Sequence, residues 1–405
     1  MLTYAQALER ILALEFDVKV ERVALLEARG RVLAQEITAP WPLPRFDHAT
    51  MDGFAVQSAD LQGASVDAPV ALPIIGESAA GHPFVGAVMP QTAIRISTGA
   101  PVPAGLDAVV PIERVSVVID SIATTMPVQV GASILRRGTN ATRGATLVPA
   151  GTILSPTNIA TLASFNVGEV KVYRRPRVAI LTSGDEVRAV GEVVGESHVV
   201  DCATPYLLLE LEACGCEARS FGISPDNIDA YRYLYANAIS WADVVITTAG
   251  VSVGPHDIVG KVLESLGTQI VLSKVSVRPG KPMLVARVNG KIHFGLPGNP
   301  LSALCNTEIF VKPFLRKVFG VRPSVPPMER VKVATPFQPD RLRLFFIHSV
   351  LSVENGVRIV RPLPNQNSAN TPNAAMANAF IVMQPGDKII EEGTLVDVYP
   401  ITQGL

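Results

Sequence analysis

The feature that most restricts how this chain can fold is a strand-loop-helix alternation that begins at Arg177. Residues 178–182 form a short apolar run, residues 207–214 read as a helix, and residues 217–223 return to a β-prone run. Ile228, Tyr231, Leu234, Tyr235, Ala238 and Ile239 then recur at helical spacing, and residues 244–248 form the next apolar run. An apolar run of that length fits a strand buried on both faces, and parallel neighbours need a crossover helix, so the alternation predicts a doubly wound, mostly parallel sheet. Residues 283–288 and 291–294 predict a hairpin, and a last helix runs from Pro300 to about Phe319.

Before this domain the text is different. Thr3 with Gln6 three residues on opens an amphipathic helix bearing Tyr4, Ala7, Leu8, Ile11 and Leu12, the pattern of a capping box. Trp41-Pro42-Leu43-Pro44 is a stiff connector. From about Ala55 to Arg143 come short β-prone runs at 70–75, 93–97 and 108–118, separated by Gly and Pro. Ser155-Pro156 reads as an N-cap and first helical position, and the strand that follows at 170–173 is expected to bring the chain back to the N-terminal helix, leaving the β segment as an insertion. Pro323, Pro326 and Pro327 mark a linker into a small all-β tail with strands at 331–334, 344–351 and 357–360.

A chain of 405 residues with 48% apolar and 18% charged content has material for several cores and is not disordered in composition. Thirty-five basic against 36 acidic residues argue against a global field for nucleic acid or an anionic membrane. Cys202, Cys214, Cys216 and Cys305 have neither disulfide-framework nor zinc spacing, so a reducing cytoplasm is expected. The N-terminus does not read as a signal peptide and no apolar run has the length of a membrane span, so no membrane association is expected.

In an open α/β sheet ligands bind beyond the carboxyl ends of the strands. Three glycine-bearing loops fall at that edge: Ser183-Gly184-Asp185-Glu186, the 250–254 segment with Gly250, Ser252 and Gly254, and Gly295-Leu296-Pro297-Gly298-Asn299-Pro300. Glycine lets backbone N–H groups approach a phosphate, while Asp185, Glu186 and Asp257 would repel it unless Mg²⁺ lay between. Any one such loop reads as a tight turn, and each acid alone as a helix cap; three loops together favour a phosphorylated ligand. Lys274, Arg278 and Lys281 crowd the run 274–282, where Pro279 and Gly280 break the strand and favour an oxyanion role over a merely solvated strand end.

The runs FDHATMDGFA (46–55), ISTGAPVPAGLDAVV (96–110), TSGDE (182–186), AGVSVG (249–254), PGKP (279–282) and GLPGNP (295–300) resemble, in order, the motifs of the molybdopterin molybdenumtransferase family, the MoeA and gephyrin E-domain group. The resemblance spans nearly the whole chain. It implies four domains: a discontinuous helical linker domain (1–26, 42–52 and 145–173), an inserted β domain (27–41 and 53–144), an α/β molybdopterin-binding domain (174–322) and a C-terminal β-barrel domain (323–405). It further implies a homodimer, with a site between the α/β domain of one subunit and the inserted β domain of the other. The implied reaction places molybdate on adenylylated molybdopterin with release of AMP, assisted by Mg²⁺. The implied partners are a molybdopterin adenylyltransferase and molybdoenzymes or their chaperones.

By the same resemblance Asp52 and Thr98 reach in from the partner subunit, Glu186, Asp226 and Asp257 line the pterin and metal site, and Asp185 joins Glu186 and Asp257 on the metal. Ser183, Gly184, Gly250, Ser252 and Gly254 contact substrate, as do Lys274, Arg278 and Lys281. Pro297, Gly298, Asn299 and Pro300 shape the third loop, and Lys281, Arg343 and Ser368 contact molybdate. Asn140 stands where the family usually has an acid, Ala203 where it has asparagine, Arg278 where it has lysine and His348 where it often has arginine. These departures motivate two alternatives to an active molybdenum insertase: a non-catalytic carrier of the pterin or finished cofactor, and an insertase that uses tungstate.

Overall fold

The computed structural model describes residues 1–250, 258–386 and 388–402. The chain divides into two compact units, residues 1–35 with 150–159 and 168–405, and residues 36–149 with 160–167.

In the first unit the alternation from Arg177 folds as read. A six-stranded sheet runs in the order Glu217–Ser224, Arg177–Ser183, Val244–Thr248, Lys291–Leu296, Pro282–Val288, Gln269–Lys274. Its first four strands are parallel and the last two pairings antiparallel. All five residues of Val244–Thr248 are buried, as a central strand covered on both faces requires. Helix Ile228–Trp241 starts at Asn227, whose side chain accepts the N–H groups of Asp229 and Ala230, and it buries Tyr231, Tyr235 and Ala238. The N-terminal helix Tyr4–Leu12 carries the expected capping box at Thr3 and Gln6, and its Ala7 and Ile11 enter the core beside Phe310 and Phe314. Strand Glu169–Tyr173 pairs antiparallel with Val20–Ala24.

The expected single helix from Pro300 is three pieces, Pro300–Asn306, a π-turn over Thr307–Val311, and Lys312–Val318. Pro313 lies just beyond the π-turn. It cannot donate to the carbonyl four residues back, so the ladder shifts register ahead of it.

The tail closes on itself as a five-stranded barrel. Leu344–Glu354 pairs with both Val357–Pro362 and Ala379–Met383, and Glu329–Val333 and Leu395–Pro400 complete the ring. The two-residue strand Val277–Arg278 adds in parallel to Leu344 and Phe345. That pairing ties the Arg278 segment to the barrel.

The second unit is built on a six-stranded sheet in the order Ala108–Pro111, Gly53–Val56, Ala93–Ile96, Val70–Ser78, Ser121–Thr124, Ser116–Val118. The expected strand at 108–118 is interrupted, because Pro111 has no N–H to extend the ladder and the chain makes a 3-10 turn over Ile112–Arg114.

Candidate active site

The strand ends of the α/β sheet open into a hollow of about 840 Å³. Its walls come from Thr182 near the end of one strand and Glu186 beyond it, from Thr248 at the end of the next with Ala249 and Gly250 beyond it, and from Pro297, Gly298, Asn299 and Pro300 after the third. The three loops read from the sequence thus converge as far as Gly250; Ser252, Gly254 and Asp257 lie outside the described residues. The loops pack tightly. A Cβ on Gly250, whose φ is +65°, would lie 2.4 Å from Val259 Cγ2 and 3.2 Å from Ser183 Oγ. Ala249 holds a left-handed φ of 67° at the wall, a strain of about 1–3 kcal/mol for a non-glycine residue.

Beneath the hollow, Thr182 Oγ1 meets Thr248 Oγ1 at 2.8 Å, Thr204 Oγ1 at 3.0 Å and Asp201 Oδ2 at 3.1 Å. Asp201 Oδ1 accepts the N–H groups of Ala203 and Thr204 at the start of helix Ala203–Ala213. Ala203, one of the departures from the family pattern, lies in this wall. Thr182 and Asp201 were not singled out from the sequence; an apolar strand ending in Thr was the available signal for the first.

Gly184 and Asp185 turn the other way, into a hollow of about 760 Å³ that shares Val187 and Asp201 with the first. Asp185 Oδ1 accepts the backbone N–H of Asp226 at 3.0 Å, which fixes the two loops to each other. Arg188 donates to the carbonyls of Asp185 and Val187. Asp185 and Glu186 therefore line different hollows. Among the described residues no three His, Cys, Asp or Glu side chains converge. Among the described residues Glu186 alone of the expected metal acids lines the larger hollow, and one or two carboxylates completed by substrate phosphate oxygens is a set that Mg²⁺ accepts.

Sharing Pro282 and Asn299 with the first hollow is a third one, of about 610 Å³. Arg278, Lys281 and Arg343 bring three cations to it, and Ser302, Ser368 and the side chains of the 365–367 run complete the wall. Gln366 holds that run to the barrel: its amide accepts the His348 N–H at 2.9 Å and donates to the His348 carbonyl at 3.0 Å. Burial pulls the His348 imidazole down to about 4, against a hydrogen bond to Gln366, and its ring stands edge-on to Phe380. Lys274 lies apart, in a 330 Å³ hollow with Leu2 and Arg10.

In the second unit, Asp52 precedes the strand Gly53–Val56 and Thr98 follows Ala93–Ile96, whose pairing puts Gly53 opposite Ile96. Asp52 Oδ1 consequently accepts both the N–H of Thr98 at 2.7 Å and its hydroxyl at 2.8 Å. Those two bonds, the backbone one first, hold the Asp52 carboxyl below the usual carboxylate range. Asn140, in the same unit, donates its backbone N–H to the Leu43 carbonyl.

Residues 2–166 match the MoeA N-terminal region (domain I and II), residues 179–317 the "Probable molybdopterin binding domain" and residues 330–401 the MoeA C-terminal region (domain IV). The chain is 33% identical to a molybdopterin molybdenumtransferase of Haemophilus influenzae over 99% of this chain and 98% of that one. It is 32% identical to that of Synechococcus elongatus over 98% and 99%. This chain belongs to the molybdopterin molybdenumtransferase family. Membership makes it a transferase of molybdenum cofactor biosynthesis. A solved molybdopterin biosynthesis MoeA protein from Pyrococcus horikosii superposes with a TM-score of 0.88 at 27% identity, covering 99% of each chain, and so carries the family's multi-domain α/β and β-barrel architecture.

Proposed function

We propose that the chain inserts molybdenum from molybdate into adenylylated molybdopterin and releases AMP. The observation that carries this reading is the adjacency of two hollows across Pro282 and Asn299: one ringed by glycine loops at the strand ends, the other by three cations. The first suits a phosphate-linked pterin, because backbone N–H groups at such loops favour phosphate. The second suits an oxyanion, with Arg278, Lys281 and Arg343 supplying charge and the Ser302 and Ser368 hydroxyls supplying donors. Mg²⁺, held at Glu186 and the substrate's phosphate oxygens, would neutralise charge on the phosphoanhydride as AMP leaves. Ser183, Gly250, Pro297, Gly298 and Pro300 would shape the pterin-nucleotide wall. Asp226, Asp257, Lys274, Ser252 and Gly254 belong to the proposal by family resemblance.

The same reading includes a cytoplasmic homodimer in which Asp52 and Thr98 serve the partner subunit's site, fed by a molybdopterin adenylyltransferase and feeding molybdoenzymes. Among the described residues no helix is long and apolar enough to cross a membrane. The test is to incubate purified protein with adenylylated molybdopterin, molybdate and Mg²⁺ and measure AMP. Stoichiometric or greater release is expected, and Lys281→Gln should abolish it. Tight pterin binding without AMP release would establish the carrier reading instead, and faster turnover with tungstate would reassign the metal. Mixing Asp52→Asn and Lys281→Gln proteins tests the shared site, since random re-pairing of a two-fold dimer restores about a quarter of the sites.

A further inference from the structure

We propose that Asp340, which does not line the oxyanion hollow, is its positioning residue and aims the guanidinium groups of Arg278 and Arg343 at one bound dianion. The inference rests on the reading of that hollow as the molybdate site. Asp340 sits in the turn before barrel strand Leu344–Glu354 and is only 9% exposed. Its two oxygens divide the work. Oδ1 accepts the backbone N–H groups of Leu342 and Arg343, each at 2.9 Å, and closes the turn. Oδ2 accepts Arg278 Nη1 at 3.0 Å and faces Arg343 Nη2 at 3.5 Å.

The two arginines are distant in sequence and meet because Val277 and Arg278 pair with Leu344 and Phe345. The Arg278 guanidinium also lies 4.6 Å over the Phe345 ring, so it is held on two sides. Neither arginine is consumed: their side chains stay 42% and 30% exposed, and each guanidinium carries five N–H donors. Burial alone would push the Asp340 carboxyl up. The Leu342 N–H, Arg278 and Arg343 outweigh it and keep the group below the ordinary range, hence ionised. An ionised Asp340 fixes the direction of both forks and offsets one of the three cations, which leaves a charge suited to a dianion. A freely swinging arginine would have to be ordered when the anion binds; one already held does not.

Asp340→Asn separates this role from the turn, because asparagine keeps Oδ1 and its two backbone bonds but presents an NH₂ donor to the guanidinium groups. Molybdate binding to the purified full chain, followed by calorimetry, should weaken about tenfold, the loss of one charge-assisted orienting bond. Bare net charge predicts the opposite, since the variant gains positive charge. In an Arg278→Gln background the Asp340→Asn effect should shrink, which a general folding defect would not do. Unchanged or tighter molybdate binding by a folded Asp340→Asn protein overturns the inference while leaving the proposed function standing. A wild-type protein that binds no molybdate removes the reading of the hollow and this inference together. Should Asp340→Asn not fold, Arg278→Lys keeps the charge but loses the fork, and undiminished molybdate affinity in that variant would equally overturn it.

Discussion

At Gly280 the backbone adopts φ +102°, and a Cβ there would lie 2.1 Å from Asn306 Oδ1 and 2.8 Å from Asn306 Cγ. Asn306 is fully buried and cannot retreat, and its Nδ2 donates to the Gly280 carbonyl at 3.0 Å. Gly280→Ala therefore combines backbone strain with a steric clash, and we expect a loss of about 1–3 kcal/mol in urea denaturation together with weaker molybdate binding as Lys281 is displaced. Stability within a few tenths of wild type would show that the turn relaxes freely. Thr98→Val is a milder case. It removes the hydroxyl bond to Asp52 but not the stronger N–H bond, so the Asp52 carboxyl should titrate closer to its ordinary value while remaining below it, as read by NMR. Glycine loops show in short runs and Asp52 and Thr98 were read through the family motifs, whereas the reach of Asp340 to Arg278 and of Asn306 to Gly280 is set by tertiary pairing and carries no local mark.

The helical stretch after Pro300 shows what periodicity captures and omits. Its extent was readable, but the π-turn at Thr307–Val311 was not, although Pro313 marked the place. Within the stretch lies a buried ionic cluster: Lys312 Nζ donates to Glu210 at 2.6 Å, to Glu308 at 3.0 Å and to the Thr402 carbonyl. Tyr206 donates its hydroxyl to Glu308 at 3.1 Å. Burial pushes the Glu308 carboxyl up from 4.5 to about 7 against the attraction of Lys312, and burial opposes but does not prevent Lys312 from being held protonated by Glu308 and Glu210. A folded-state value above the unfolded one means that Glu308 contributes stability fully below 4.5, and that this contribution is lost as pH rises through about 7. Glu308→Gln mimics the protonated form at every pH. Its stability relative to wild type should therefore rise between 4.5 and about 7 in denaturation series, and a difference that is flat across that window would remove burial as the dominant cause.

Across the molecule, the doubly wound sheet was legible from the apolar runs of its parallel strands and the helical spacing from Ile228 to Ile239, while helix Ile258–Ser265 and the edge strand Gln269–Lys274 were not read. The β tail was legible as strands in its own residues and as a barrel through the family resemblance, and closure is achieved by one 11-residue strand, Leu344–Glu354, pairing on both edges. The two compact units have separate interiors: Phe54, Val56, Leu61 and Leu72 centre one, and Ile180, Ile246, Phe294 and Phe314 the other. Multi-domain chains with separate cores depart from two-state unfolding, so calorimetry should resolve two transitions. Arg278, Lys281, Arg343 and Ser368 all belong to the larger unit, and a ligand stabilises only the state that binds it. Molybdate at a hundred times its dissociation constant should accordingly stabilise one transition by about 2.7 kcal/mol and leave the other in place. If both transitions moved together, the units would unfold as one cooperative body; if neither moved, the cationic hollow would not be where molybdate binds.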